Sequence, residues 1–276
     1  MSTNPLTALQ PVLTSHLFLP INEELLALLR GLGDDEWNAP TVAGDWTVKD
    51  VAAHLLATTL GRLSVHRDGY ARPEPPETFA DGLVGFVNTI NRDGVACLRR
   101  LSPRILIELH EQYGREMADF FETLDPFAPA LWSVSWAGDA ESPNWFDIAR
   151  ELTERWHHQE QIRDATGRPP LFAYLAPVLD TFVRALPHTY RDVEASDGTS
   201  VVLRVTSEGE GVWTLVRERA RWVLYAGEAS SPTTLVTMRG DNAWRLFTKQ
   251  KIDPQAQIEG DERLARAMLG MVSIIG

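Results

Sequence analysis

Disulfide chemistry is the first thing this sequence excludes, because its 276 residues include a single cysteine, Cys97. A lone thiol cannot form an internal disulfide framework, and it suits a reducing compartment. Basic residues are also scarce. Against 38 Asp and Glu there are only 26 Lys and Arg, a formal net charge of −12. No basic stripe of the kind that phosphate backbones require can be traced, so no nucleic-acid partner is expected, and the charge also disfavours an anionic membrane surface. Apolar runs of bilayer-spanning length are missing. The opening MSTNPLTALQPVLTSHLF lacks a basic start followed by an apolar core, so a cytoplasmic protein is expected. Three phosphate or nucleophile signatures are absent as well: Gly-x-Gly-x-x-Gly, the P-loop and the Gly-x-Ser-x-Gly elbow.

What remains is a composition typical of globular proteins, 44% hydrophobic and 23% charged, on a chain long enough for two domains. The first part reads as helices. A pattern from Leu13 to Leu32 carries Ile21, Leu25, Leu26, Leu28 and Leu29 on one side and ends at Gly31 and Gly33. After a loop with two tryptophans, Thr47 begins a second helix with Asp50 as its capping-box partner, running to Asp68-Gly69. The segment ARPEPPETF is a proline-rich connection. A third helix is expected over Phe79–Leu101, and a fourth starts at Ser102-Pro103 and stops at Asp125-Pro126. The segment ELTERWHHQEQIRD lies in a fifth, which ends at Gly167, and LFAYLAPVLDTFVRAL forms one more. Composition then changes after Asp197-Gly198. VVLRV, VWTLV, WVLY and TTLVTM are β-branched and aromatic runs separated by turns, followed by helices at Asp241–Lys249 and Asp261–Val272. The expectation is an α bundle over residues 1–192 and a small α+β domain over 193–276.

The densest cluster of metal-ligating side chains is Glu151–Asp164. Glu154 and His158 are four apart and therefore stack on one helical face. His157 points elsewhere. The pattern Glu154-x-x-His157 fits a di-iron motif only if a second such motif exists, and none does. The best third ligand is His54, at the polar and small-residue edge of the second helix near Thr47, Thr58 and Gly61, beside a core stripe of Val48, Val51, Ala52, Leu55 and Thr59. Two simpler readings compete at this point. His54 fits equally as a structural histidine at the rim of the core, and Glu151, Glu154, His158 and Gln161 fit an ordinary solvated face opposite Ile148, Leu152 and Trp156. Cys97, beside Val95 and Ala96, reads as a buried small hydrophobe. Among the tryptophans at 37, 46, 132, 136 and 145, most read as core, with Trp136 in a glycine-containing loop placed to line a pocket.

Two segments together carry a resemblance. EWNAPTVAGDWTVKDVAAHL resembles the start of the DinB-like four-helix bundle superfamily, in the branch of mycothiol-dependent maleylpyruvate isomerases. ERWHHQEQIRDATGRP is similar to a later helix of that branch, and the tail through MRGDNAWRLFTKQ and IEGDERLARAML resembles a sterol-carrier-protein-like domain appended to the bundle. The resemblance implies that His54, Glu154 and His158 hold a divalent metal, typically zinc, with an open position. It implies a small external thiol such as mycothiol, activated for isomerisation or transfer on a small electrophile by a monomer or homodimer. Glu151, Gln161 or Asp147 would orient His158. The chain departs from the family where a Gly-Arg is common in the tail: Thr248-Lys249 stands there, with Arg239 and Arg245 nearest. Alternatives are a lipid-binding or a regulatory role on the same fold.

Overall fold

A computed structural model of the chain describes residues 6–70, 79, 81–250 and 252–274. Most of the proline-rich connection, residues 71–78, lies outside the described residues. The chain divides into two compact units. One gathers Leu13–Leu131 and Arg150–Leu171. The other gathers the residues up to Val12 with Trp132–Ala149 and Phe172–Ile274. The units therefore interleave along the sequence, whereas the proposed 192/193 boundary follows the change in composition.

The first unit is helical. It contains α1 (Phe18–Arg30), α2 (Val48–Arg62), α3 (Gly82–Leu98), α4 (Pro103–Thr123) and most of α5 (Asn144–Thr166). Local rules fix two of the starts. The Asp50 amide donates to Thr47 Oγ1 at 3.3 Å and the Thr47 amide donates to Asp50 Oδ2 at 3.1 Å, a complete capping box. Ser102 caps α4, with Pro103 in the first turn where its missing N–H costs nothing. A π-helical turn, Leu63–Arg67, prolongs α2 to Asp68, close to the expected end.

Apolar spacing then decides which faces pack. Leu25 and Leu29 of α1, Val48, Val51, Ala52 and Leu55 of α2, Leu106 of α4 and Ile162 of α5 share one core. Phe18 meets Phe121 edge-on, with centroids 4.6 Å apart. Where α1 meets α4, a β-carbon at Gly114 would collide with the buried Asn22 amide and force that side chain to move. That amide donates to the His110 carbonyl at 3.2 Å.

Helix α5 differs in kind. From Glu151 to Ile162 every residue is buried except the half-buried Glu154, although most of them are polar. A helix buried on all sides is expected to be apolar throughout. This one instead gives its polar groups internal partners. Gln159 donates to the Ile21 carbonyl at 3.0 Å, Trp156 Nε1 to the Leu171 carbonyl at 2.8 Å, and the Leu171 amide to Glu160 at 2.8 Å. The solvated-face reading of Glu151, His158 and Gln161 is thereby overturned: they are 5%, 7% and 7% exposed.

The second unit is built on a six-stranded mixed sheet in the order β1-β4-β3-β2-β5-β6. The strands are β1 (Thr7–Ala8), β2 (Ser200–Thr206), β3 (Gly211–Glu218), β4 (Arg221–Ala226), β5 (Thr234–Arg239) and β6 (Gln257–Gly260). Pairing is antiparallel except for β2 with β5, which run parallel with Leu203 opposite Val236. The amphipathic helices α8 (Gly240–Phe247) and α9 (Glu262–Leu269) bury Ala243, Trp244 and Phe247, and Leu264, Ala265 and Met268. Two of these strands have no sequence signal. β1 is two residues long, and β6 is exposed along its whole length, so neither shows the burial pattern that marks a strand.

The single helix expected after Pro170 is instead a broken series. A 3-10 turn at Phe172–Tyr174 leads into α6 (Leu175–Phe182), a second 3-10 turn and the short α7 (Leu186–Thr189). Pro177 and Pro187 account for the breaks, since each removes a donor and is tolerated only in a first turn.

Candidate metal centre

Within the helical unit, α2 and α5 bring His54, Glu154 and His158 together. One potential ligand atom from each lies within 4.8 Å of the others. The two imidazoles meet edge-on with centroids 4.6 Å apart, and His158 Nε2 stands 3.7 Å from Glu154 Oε2. Both histidines are buried and Glu154 is half-buried.

Burial sets the protonation of the trio. Desolvation, followed by the nearby His157 and Arg155, lowers the His54 pKa to about 3. His158 is held well below its ordinary value, first by burial and then by His157 and His54. Both rings are therefore neutral at physiological pH, the state in which imidazole offers a lone pair to a metal. The hydrogen bonds refine this further. His158 Nδ1 lies 2.8 Å from Gln161 Oε1, an acceptor, so Nδ1 carries the proton and Nε2 is left as the donor atom. His54 Nδ1 is buried and, among the described residues, no hydrogen bond reaches it. A buried polar atom without a partner is costly, and a ligand or bound water would remove that cost. The residues present thus fit a divalent cation with two nitrogens and one carboxylate oxygen.

The orienting residues sort themselves by contact. Gln161 holds His158, as one of the three candidates was expected to. Glu151 instead binds Arg62 at 3.3 Å and Arg155 at 3.3 Å, and Asp147 is buried. His157 stays outside the trio, with Nδ1 3.1 Å from the Thr153 carbonyl one turn back. Cys97 is exposed, not buried. Val95 is the one described residue of α3 that is fully buried, and Cys97, two positions on, sits about 200° around the helix from it.

One neighbour of the trio was not foreseen. Trp46 ends a tight loop in which the Thr41 amide and hydroxyl both donate to the Trp46 carbonyl, at 3.0 and 2.8 Å. Its ring comes within 5.0 Å of His54 and 6.4 Å of His158, centroid to centroid. The tryptophan was visible in the sequence, but the loop that aims it was not. Trp136 packs edge-on against Phe146 in the other unit. In that unit a cavity of about 330 Å³ is lined in part by Arg239, Asp241, Arg245 and Asp253. Its guanidinium groups are already matched: Arg239 pairs with Glu208 at 3.0 Å, and Arg245 pairs with Asp241 at 3.2 Å and lies over Trp244.

These features define a class: a helical-bundle protein whose interior collects a histidine–glutamate–histidine set, on a chain that also folds a mixed α+β unit. The chain belongs to the mycothiol maleylpyruvate isomerase N-terminal domain family, whose profile matches residues 18–163, more than half of its length. Two solved structures share the fold. A crystal structure of a mycothiol-dependent maleylpyruvate isomerase is 14% identical, with a TM-score of 0.55, covering 87% of this chain and 89% of the other. A histidine-to-alanine mutant of the mycothiol-dependent isomerase is 14% identical, with a TM-score of 0.50, covering 86% and 88%. No curated protein matches the chain in sequence. Among the described residues, no helix is long and apolar enough to cross a membrane.

Proposed function

We propose that this protein is a metal-dependent enzyme that activates a small thiol, mycothiol or a close equivalent, for isomerisation or thiol transfer on a small electrophile. The observation that carries the reading is the trio itself, three ligand-type side chains from α2 and α5 within 4.8 Å of one another. A divalent cation there, with zinc the best fit to the donors, would lower the pKa of a coordinated thiol and supply a thiolate at neutral pH.

The chain's own residues do the rest. His54 and His158 enter as neutral donors because burial keeps them unprotonated. Glu154 supplies one negative charge, and Gln161 fixes the ring of His158. Trp46 brings an indole ring within 5.0 Å of His54 and 6.4 Å of His158, an apolar neighbour that would limit water at the centre. The nucleophile comes from outside, because Cys97 is not part of the trio. Maleylpyruvate is the first electrophile to test, since the family and both structures carry its name. Thr248-Lys249 stands where the Gly-Arg expected to help hold an anionic substrate is common, so related unsaturated acids belong in the same test.

Elemental analysis of the purified protein decides the metal. Close to one equivalent is expected in the wild type and a small fraction of that in His54→Ala. Equal and negligible metal in both would remove the reading. Incubation of the zinc-loaded protein with mycothiol and maleylpyruvate then separates isomerisation from adduct formation.

A further inference from the structure

In the mixed α+β unit, the cavity beside α8 has a wall that is polar and incompletely paired. It encloses about 330 Å³, within the roughly 300–1,000 Å³ of small-molecule sites. Asp241 and Asn242 line it from the first turn of α8, and Asp253 and Gln255 from the segment after that helix. Arg239 and Arg245 complete the polar wall.

Two amides show what is missing. Asn242 Nδ2 donates to the Asp253 carbonyl at 3.1 Å. A carbonyl can only accept, so this bond fixes the orientation of the amide and leaves Oδ1 at its other end. That oxygen is buried and, among the described residues, no donor reaches it. Gln250 joins the wall through Arg245, whose Nη1 donates to Gln250 Oε1 at 3.2 Å. A guanidinium can only donate, so Gln250 Nε2 is the donor end, buried and without an acceptor among the described residues. Buried polar atoms left unpaired in this way call for a water or a ligand.

The charged groups narrow the chemistry of that ligand. Arg239 is engaged by Ser207 at 3.1 Å and by the two oxygens of Glu208 at 3.1 and 3.0 Å, and Arg245 by Asp241 at 3.2 Å. The carboxylates are half used. Asp241 Oδ1 accepts from Trp244 Nε1 and Arg245 Nε, and Asp253 Oδ1 from the Gln255 amide. The second oxygen of each has no donor among the described residues. An anion would meet these carboxylates, and a cation would meet two guanidiniums. A hydroxyl carries no charge, donates to such oxygens and accepts in turn. A lipid tail offers them nothing. On either side of Asp253, Lys249 and Gln255 hold φ of 62° and 41°. Left-handed conformations of this kind persist where the surroundings impose them, and they gather at ligand sites.

We propose that this cavity is a second binding site, for a small neutral molecule with several hydroxyl groups, a sugar or a polyol. One hydroxyl donates to Asn242 Oδ1, and others donate to the open oxygens of Asp241 and Asp253. The site does not depend on the metal reading and stands if that reading fails.

Calorimetric titration of the full chain with glucose, galactose, mannose and sorbitol tests it. At least one is expected to saturate with a Kd on the order of 1 mM, the scale for so small a ligand. A hexose that outbinds sorbitol assigns the site to a ring, and the reverse assigns it to an open chain. Glucosamine and glucuronate carry opposite charges on the same ring, and both are expected to bind more weakly than the best neutral ligand. Asn242→Ala removes the unpaired acceptor and is expected to weaken binding about tenfold, the scale of one hydrogen bond. Asp253→Ser keeps an acceptor for the Gln255 amide but removes the second oxygen, with a loss of similar size. His54→Ala, in the helical unit, is expected to leave the affinity unchanged. Should circular dichroism show Asn242→Ala unfolded, Asp253→Ser decides alone. The inference falls if no neutral ligand saturates, if a charged one binds tightest, or if His54→Ala weakens binding while Asn242→Ala and Asp253→Ser do not.

Discussion

As a proposed metal ligand, His158 depends on what holds its other nitrogen, and that partner is a neutral amide three residues away. Gln161 Oε1 accepts from His158 Nδ1 at 2.8 Å, which selects the tautomer with Nε2 free and fixes the ring. Loss of such an outer hydrogen bond typically costs about 10- to 100-fold in metal affinity. Gln161→Leu is therefore expected to weaken zinc by that factor, with circular dichroism checking that the fold is retained. Gln161→Glu places a carboxylate on the same nitrogen, raises the basicity of the ring and tightens binding. Competition titration against a chromophoric chelator measures both. Equal zinc affinity in all three proteins would show that Gln161 orients nothing. The spacing of Glu154 and His158 was readable from helical geometry. The role of Gln161 was one of three guesses, since shared helical face does not reveal which side chain reaches the ring.

At the scale of elements, the hairpin between β3 and β4 carries a local conflict. Arg219 and Ala220 form its turn with φ of 45° and 66°, the left-handed region that costs a residue with a side chain roughly 1–2 kcal/mol. Two central residues with positive φ make the type I′ geometry for which Asn-Gly is preferred. Replacing Arg219-Ala220 by Asn-Gly is expected to stabilise the protein by about 1 kcal/mol, seen as a higher midpoint in thermal or urea unfolding. A lower midpoint would mean that the exposed Arg219 contributes more than its backbone costs. Elements with strong local rules were legible in the sequence. The Thr47–Asp50 box, the Ser102-Pro103 start and the four apolar runs from β2 to β5 all stand where their residues put them. The burial of α5 was not legible, because polar residues such as Gln159, Glu160 and Gln161 look solvated until the other helices supply their partners. β1 and β6 failed for the opposite reason, having no burial to leave a pattern.

On the scale of the whole molecule, pH reports how much charge the interior refuses. His110, on α4, is fully buried and bonded through Nε2 to the Ala52 carbonyl at 2.9 Å. Desolvation lowers its pKa from 6.5 to about 4, a shift opposed by that hydrogen bond and reinforced by Arg155. Above pH 6.5 the ring is neutral in both folded and unfolded chains, and it adds no pH dependence. Between 6.5 and 4 the unfolded chain takes up a proton that the folded one refuses, so stability falls as pH drops, by about 3 kcal/mol in total. Below 4 the folded ring protonates too and the loss levels off. His110→Gln can still donate to the Ala52 carbonyl but cannot titrate. The two proteins share every other carboxylate and histidine, so the difference between their urea-unfolding free energies isolates this one ring. Whatever the gap at pH 7, it is expected to move in favour of the variant by about 3 kcal/mol by pH 4. Parallel stability curves from pH 7 to 4 would mean that His110 accepts its proton inside the fold, and that α4 yields locally before the bundle does.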